Sequence, residues 1–128
     1  MKIKIETDQE NKKLLDKIFA QKTNRIGKID NLNKKIVTVS DTGQEIEYLE
    51  IFIIDEKQIN FKISVPFRVN QWSLLGKILI NFGADLNEMK ELEIEDFLKP
   101  SMFVNYDIKQ STNNYYQIVL SSLKPKND

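Results

Sequence analysis

Aromatic and basic residues recur at strand-like positions of this chain, and together they could hold a ligand that has flat rings and anionic groups. The aromatic members are Tyr48, Phe52, Phe103 and Tyr115, and the basic members are Lys34, Lys35, Lys62, Arg68 and Lys109. Aromatic faces stack on nucleobases of any type, while lysine and arginine contact phosphates in a salt-dependent way. The set predicts a groove for a single nucleic-acid strand, in which each stacked base contributes about 1–3 kcal/mol.

These residues also have purely structural interpretations. Tyr48 and Phe52 could pack under an N-terminal helix, and Phe103 could contact a helical turn at 94–98. The remaining aromatic residue could flank a hairpin loop, and the basic side chains could form a solvated edge that deters strand aggregation. The prediction of a groove therefore depends on the whole set facing one way.

Two residue types that carry much of enzyme chemistry are absent. The 128 residues include no cysteine and no histidine. This excludes disulfides, thiolate nucleophiles and cysteine-bound zinc, and it removes the commonest general base at neutral pH. A nuclease that uses carboxylates and Mg²⁺ is chemically possible, but the acidic residues do not have a recognisable two-metal spacing. We therefore predict a protein that is not an enzyme and that needs no cofactor and no metal.

Charge is balanced overall but unevenly distributed. The chain has 19 basic and 19 acidic residues. Segment 84–96 holds six carboxylates against Lys90, a net charge of −5, so the remainder of the chain carries +5. The segment is either a solvated acidic linker or a contact surface for a protein partner, and the basic remainder could bind phosphates.

Period-two alternation predicts the strands that would carry the groove. Strands are expected at 25–40, 45–55 and 58–69, with Gly27 marking a bulge in the first of them. On the second strand, the core side is expected to carry Leu49, Ile51 and Ile53, and the outer side Tyr48, Glu50, Phe52 and Ile54. On the third, the residues expected to face the core are Ile59, Phe61, Ile63, Val65, Phe67 and Val69.

The period then changes to that of a helix. The spacing predicts a helix over 70–82, with Asn70 as its N-cap and Gly83 just beyond its end. Trp72 lies on its apolar stripe, which favours a role in the core or as a plug over base stacking. After the acidic segment, a helical turn and two more strands are expected. Their core-facing residues would be Met102, Val104, Tyr106 and Ile108, followed by Tyr116, Ile118 and Leu120.

The termini lie outside this pattern. Residues 1–24 are expected to form an N-terminal arm, with a short strand at 1–5 and an amphipathic helix at 8–20. Residues 125–128 are expected to be a frayed polar tail. The domain proper would therefore span 25–124.

The order of three strands, a helix and two strands is that of the oligonucleotide/oligosaccharide-binding fold, the OB-fold. The fold class is thus predicted to be all-β with added helices: a five-stranded OB-fold barrel with a helix between strands 3 and 4, plus the N-terminal helical arm. Over 25–124, the chain resembles the small OB-fold single-stranded DNA-binding proteins, especially those of phages of low-GC bacteria. The segments that carry the resemblance are YLEIFII, INFKISVPFRV, WSLLGKILINFG and, after DFLKPS, MFVNYDIKQSTNNYYQIVLSSL.

This resemblance implies sequence-tolerant, non-catalytic binding of single-stranded DNA in replication or recombination. It also implies a homo-oligomer, contacts with replication or recombination proteins, and a cytoplasmic location, which for a phage protein is the host cytoplasm. The chain departs from bacterial members in having one tryptophan, no glycine-rich tail and no acidic Asp-Phe tip. Docking of repair enzymes through such a tip is therefore not implied. The alternative from a different class is an OB-fold interaction or inhibitor protein that acts through the acidic segment 84–96.

Overall fold

The computed structural model describes residues 1–6, 24–110 and 115–126. This part of the chain is mostly β-structure with one short α-helix, as the alternation in the sequence predicted. The strands are β1 (Lys2–Lys4), β2 (Arg25–Thr38), β3 (Glu45–Asp55), β4 (Asn60–Pro66), β5 (Glu91–Glu93), β6 (Phe103–Tyr106), β7 (Ile108–Gln110), β8 (Tyr116–Ile118) and β9 (Lys124–Pro125). The helix is α1 (Leu74–Asn81), and Ile94–Asp96 and Leu120–Ser122 form 3₁₀ turns. The predicted N-terminal helix falls on 8–20, outside the described residues.

The main sheet has the strand order β4-β3-β2-β6-β9, and all of its pairs are antiparallel. The predicted barrel is not closed: within the described ranges, no ladder joins β4 to the other edge of the sheet. The physical reason lies at Asp107, where the chain leaves the ladder after β6 and folds into the separate β7–β8 hairpin.

The core lies between this sheet and α1. The prediction for β3 is confirmed, because Leu49, Ile51 and Ile53 are all at most 1% exposed. The other strands and α1 contribute further buried side chains, namely Phe61, Ile63, Val65, Val104, Tyr106, Leu75, Ile78 and Leu79. Periodicity thus placed the centre of each main strand correctly.

The ends of the predicted strands are less accurate. Ile59 lies before β4 and is 45% exposed, and Phe67 lies after it and is half-buried, so neither is a full core residue. Tyr116 was expected to face the core but is 57% exposed, because β8 is only three residues long and Tyr116 lies at the hairpin end. The same alternation would place Val119 on the side opposite Ile118 and away from the core, but Val119 is fully buried.

The predicted N-cap of the helix is wrong by three residues. Ser73, not Asn70, is the N-cap, and its Oγ accepts a 2.9 Å hydrogen bond from the Gly76 N–H. Asn70 instead shapes the loop before the helix, where its Oδ1 accepts a 2.8 Å hydrogen bond from the Trp72 N–H. Gly83, with φ of +98°, follows the C-cap as predicted.

Gly27 does not mark the bulge. The register of β2 against β3 shifts between Ile29 and Asn31 instead. A Cβ at Gly27 would lie 2.7 Å from the Tyr106 hydroxyl and 2.8 Å from a methyl group of Ile53. Glycine is therefore needed here for close packing of β2 against the core.

The acidic segment is not a free linker. Its β5 pairs with β1, so the predicted N-terminal strand is confirmed, and Leu92 and Ile94 are buried. The Met1 amino group contacts the carboxylates of Glu93 and Glu95. Half of the segment is thus built into the fold, and its remaining exposed carboxylates are Asp85, Glu88, Glu91 and Asp96.

Candidate nucleic-acid interface

The side of the sheet opposite the core carries the outward-facing residues of β3. Tyr48 has Lys35 and Pro66 as its cross-strand neighbours, and Phe52 has Asn31 and Lys62. Directly paired residues of a sheet project to the same side. We call this side the outer face, and define it by Lys35, Tyr48, Phe52 and Lys62.

The outer face continues onto β6. Ile54 pairs with Lys28 on β2, and Lys28 pairs in turn with Phe103. Phe103 points away from the core and is 57% exposed, and the Lys126 ammonium lies 5.8 Å from the centre of its ring. Rings and lysines therefore share this side of the sheet from β4 to β6.

Two concave regions follow this row of side chains. One has a volume of about 460 Å³ and is lined by Asp30, Phe52, Asn60 and Lys62, among others. The next has a volume of about 290 Å³ and is lined by Lys28, Gln58 and Phe103. Ile54 lines both regions, so they are adjacent, and we call the two together the depression.

A third cavity places Lys109 beside this depression. Lys62 and Ser64 of β4 line it together with Lys109 and Gln117 of the β7–β8 hairpin, and its volume is about 270 Å³. Tyr115, at the hairpin end, is 73% exposed. The hairpin therefore borders the outer face on the β4 side.

Lys34 and Arg68 are not brought into this arrangement. Lys34 pairs with Leu49, so it projects from the opposite side of β2, where its ammonium lies 3.3 Å from a Glu47 oxygen and 4.8 Å from the centre of the Phe67 ring. Arg68 follows β4 and binds the Glu6 carboxylate at 2.6 Å. The expectation that Lys34 and Lys35 serve the same groove fails for Lys34, because neighbouring residues of a strand face opposite sides.

Glu50 is the main electrostatic feature that sequence reasoning gave no role. It lies on the outer face between Tyr48 and Phe52 and is only 6% exposed. Its carboxylate accepts a 2.9 Å hydrogen bond from the Asn33 amide and lies 3.3 Å from the Lys62 ammonium. The Asn33 hydrogen bond, followed by the contact with Lys62, lowers the pKa of Glu50. An anionic ligand would therefore compete with Glu50 for Lys62.

A buried ionic network fixes the end of the outer face near Phe103. Arg25 contacts the Asp55 carboxylate at 2.8 and 3.1 Å, and the Tyr106 hydroxyl donates to the same carboxylate at 2.6 Å. Burial opposes ionisation of Asp55, but the hydrogen bonds from Arg25 and Tyr106 outweigh it and hold the pKa below its ordinary value. Burial and the hydrogen bond to Asp55 raise the pKa of Tyr106. The network joins β2, β3 and β6, and this sets the relative positions of Lys28, Ile54 and Phe103.

Comparison of the chain with models of protein families, with curated proteins and with solved structures finds no match. Across the described ranges, no group of three or more histidine, cysteine, aspartate or glutamate side chains could hold a metal ion. None of the helices in those same ranges is long and apolar enough to cross a bilayer.

Proposed function

We propose that the outer face binds single-stranded DNA without sequence preference and without catalysis. The observation that carries the proposal is that Lys35, Tyr48, Phe52, Lys62 and Phe103 lie on one side of the sheet. Tyr48 and Phe52 are four residues apart on one strand, which spaces two stacking surfaces by about 13 Å. Such a row of rings with interleaved cations suits bases on one side of a strand and phosphates on the other.

The proposed fold is a partly open OB-fold. Three observations support it: the β2-β3-β4 meander, the helix that follows this meander, and the β7–β8 hairpin that lies beside the edge strand β4. On this view the gap between β4 and the hairpin is the barrel opening, and the depression along Phe52 and Phe103 leads to it. The proposal extends to a role in DNA replication or recombination in the cytoplasm, which for a phage protein is the host cytoplasm.

A fluorescence titration with labelled oligo-dT at two salt concentrations tests the function. We expect binding that weakens steeply with salt, because phosphate contacts release counterions. Phe52→Ala is expected to weaken binding by about 5- to 150-fold, which corresponds to a stacking loss of about 1–3 kcal/mol. Phe52→Leu should lose almost as much, since it keeps apolar bulk but has no ring.

Lys99→Ala is the control that removes a positive charge away from the proposed site, because Lys99 is exposed and lies outside the outer face. It should leave the affinity within about twofold. Absence of binding at low salt, or equal affinity for the wild type and both Phe52 variants, would contradict the proposal.

Glu50→Gln is expected to bind single-stranded DNA more tightly than the wild type. The neutral amide can keep the Asn33 hydrogen bond but no longer holds Lys62, so the ammonium is released for phosphate. An ion pair with an exposed partner contributes little, so the expected gain in affinity is about two- to fivefold. The gain should disappear in the double variant Glu50→Gln/Lys62→Ala, which is the test that the effect passes through Lys62. Weaker binding by Glu50→Gln would place the DNA path elsewhere.

The interaction-protein alternative makes the opposite prediction for the same titration. A protein that acts only through segment 84–96 would not bind oligo-dT. Its four exposed carboxylates, Asp85, Glu88, Glu91 and Asp96, would be the ones to neutralise in a partner-binding assay.

A further inference from the structure

A β-bulge places an additional side chain on the outer side of the sheet. Lys28 pairs with Ile54 on that side and Asn31 pairs with Phe52, so Asp30 has no partner on β3 and is the bulged residue. A bulge changes the direction of a side chain while the strand continues, and bulges are frequent beside functional sites. Here the bulge brings the Asp30 carboxylate into the same concave region as the Phe52 ring.

This region is the larger part of the depression, with a volume of about 460 Å³, and we call it the Asp30 pocket. Phe52 and Ile54 of β3 form its apolar floor, and Asp30 on β2 and Asn60 on β4 border it from the two sides. Because β3 lies between the two bordering strands, their backbones are about 10 Å apart. The space between the two polar side chains therefore suits one flat ring that lies on Phe52.

The Asp30 carboxylate is available to a ligand. Glu50, the other carboxylate near Phe52, is already held by Asn33 and Lys62. Asp30 is exposed, and within the described ranges its carboxylate makes no hydrogen bond and no ion pair. An ionised carboxylate repels phosphates and can only accept hydrogen bonds. It is therefore suited to the donor groups on the edge of a base, and not to the backbone of the strand.

We propose that the Asp30 pocket takes guanine and gives the otherwise sequence-tolerant outer face a preference at one base position. This inference rests on the proposed function. The two oxygens of a carboxylate match the adjacent N1–H and N2–H groups on the Watson–Crick edge of guanine, a pair that no other DNA base presents side by side. The Asn60 amide can donate to the neighbouring O6 atom, and Phe52 supplies the stacking surface.

The other bases complement this pocket less well. Adenine and cytosine each present one amino group beside a ring nitrogen that accepts, and thymine presents one N–H group between two carbonyl oxygens. These acceptors would lie against the Asp30 carboxylate, which is itself an acceptor. The expected order of affinity at this position is guanine first, adenine and cytosine next, and thymine last.

Fluorescence titrations with dT oligomers of equal length, unsubstituted or with one central dG, dA or dC, test the inference. The wild type should bind the dG oligomer about 5- to 10-fold more tightly than oligo-dT, the low end for a bidentate base contact, because the pocket is open to water. Deoxyinosine, which lacks the 2-amino group, should lose most of this gain. 7-Deaza-dG keeps the Watson–Crick edge and should retain it.

Asp30→Asn should bind the dG and dT oligomers equally to within about twofold, because an amide presents one donor and one acceptor. Asp96→Asn removes an exposed carboxylate away from the outer face and should keep the full preference for dG. Equal binding of all four oligomers by the wild type, or an unchanged preference in Asp30→Asn, would overturn the inference and leave the proposed function in place. Absence of binding to every oligomer would overturn both.

Discussion

Replacing Asp55 with asparagine is expected to lower the free energy of unfolding by about 3–5 kcal/mol, the usual cost of removing one member of a buried ion pair. The Asp55 side chain is 0% exposed and that of Arg25 is 15% exposed, so both members of the pair are largely removed from water. An asparagine would present an N–H group to either Arg25 or the Tyr106 hydroxyl, both of which are donors in the wild type. Equilibrium urea unfolding measures the loss. Asp96→Asn, at an exposed position, should change stability by less than about 0.5 kcal/mol.

The difference in stability between the wild type and Asp55→Asn should depend on pH in one direction. The folded-state pKa of Asp55 lies below its ordinary value, so its charge stabilises the fold above the unfolded-state pKa of about 3.9. That contribution is lost as the pH falls through the folded-state pKa. The stability gap between the wild type and Asp55→Asn should therefore be constant near neutral pH and should narrow below about pH 4. A gap that widens on acidification would mean that Asp55 is protonated in the native state.

Gly76→Ala should destabilise the protein by about 2–4 kcal/mol, although alanine normally stabilises a helix interior by up to about 1 kcal/mol relative to glycine. A Cβ at this position would lie 1.8 Å from the Asn70 carbonyl oxygen and 2.7 Å from the Ser73 Oγ. Asn70 is 1% exposed, and its N–H donates to that Oγ, so the loop has little room to move. The expected loss combines overpacking, about 1–3 kcal/mol, with a lost N-cap, about 1 kcal/mol.

Two further variants separate these contributions. Ser73→Ala removes the cap without adding a clash and should cost about 1 kcal/mol. Ile80→Ala, at an exposed position of the same helix, should cost about 0.5 kcal/mol or less. If Gly76→Ala were more stable than the wild type, the close approach of the Asn70 carbonyl would be wrong.

Asp55 and Gly76 lie on opposite sides of the core, one on the sheet and the other on α1. The Asp55 network fixes β2 and β6 at the Phe103 end of the outer face, whereas Gly76 lets α1 approach the loop that follows β4. Partial weakening of the Asp55 network should therefore disturb the spacing of Phe103 from Phe52 before it disturbs Tyr48. If the outer face binds DNA as proposed, a destabilised but folded variant would then bind it more weakly, mainly through the loss of Phe103 stacking.

The sequence by itself determined the centres of the main strands and most of the core residues on them. Alternation in β3 and β4 placed Leu49, Ile51 and Ile63 in the core, because a one-residue slip would turn every apolar side chain towards water. The same parity assigned Tyr48, Phe52 and Phe103 to the side away from the core. These features are local, and a period of two residues is sufficient to read them.

Only the tertiary structure decided which side chains from different segments come into contact. It separated Lys34 from Lys35, paired Glu50 with Lys62, and brought the β7–β8 hairpin to the edge of β4. It also decided where a glycine is needed for close packing. Gly27 packs against Tyr106, which is distant in the sequence, and Gly76 packs against Asn70 in the adjoining loop. Burial, ion pairing and close approach depend on which segments meet in space, and a pattern read along one segment contains no information about its neighbours across the sheet.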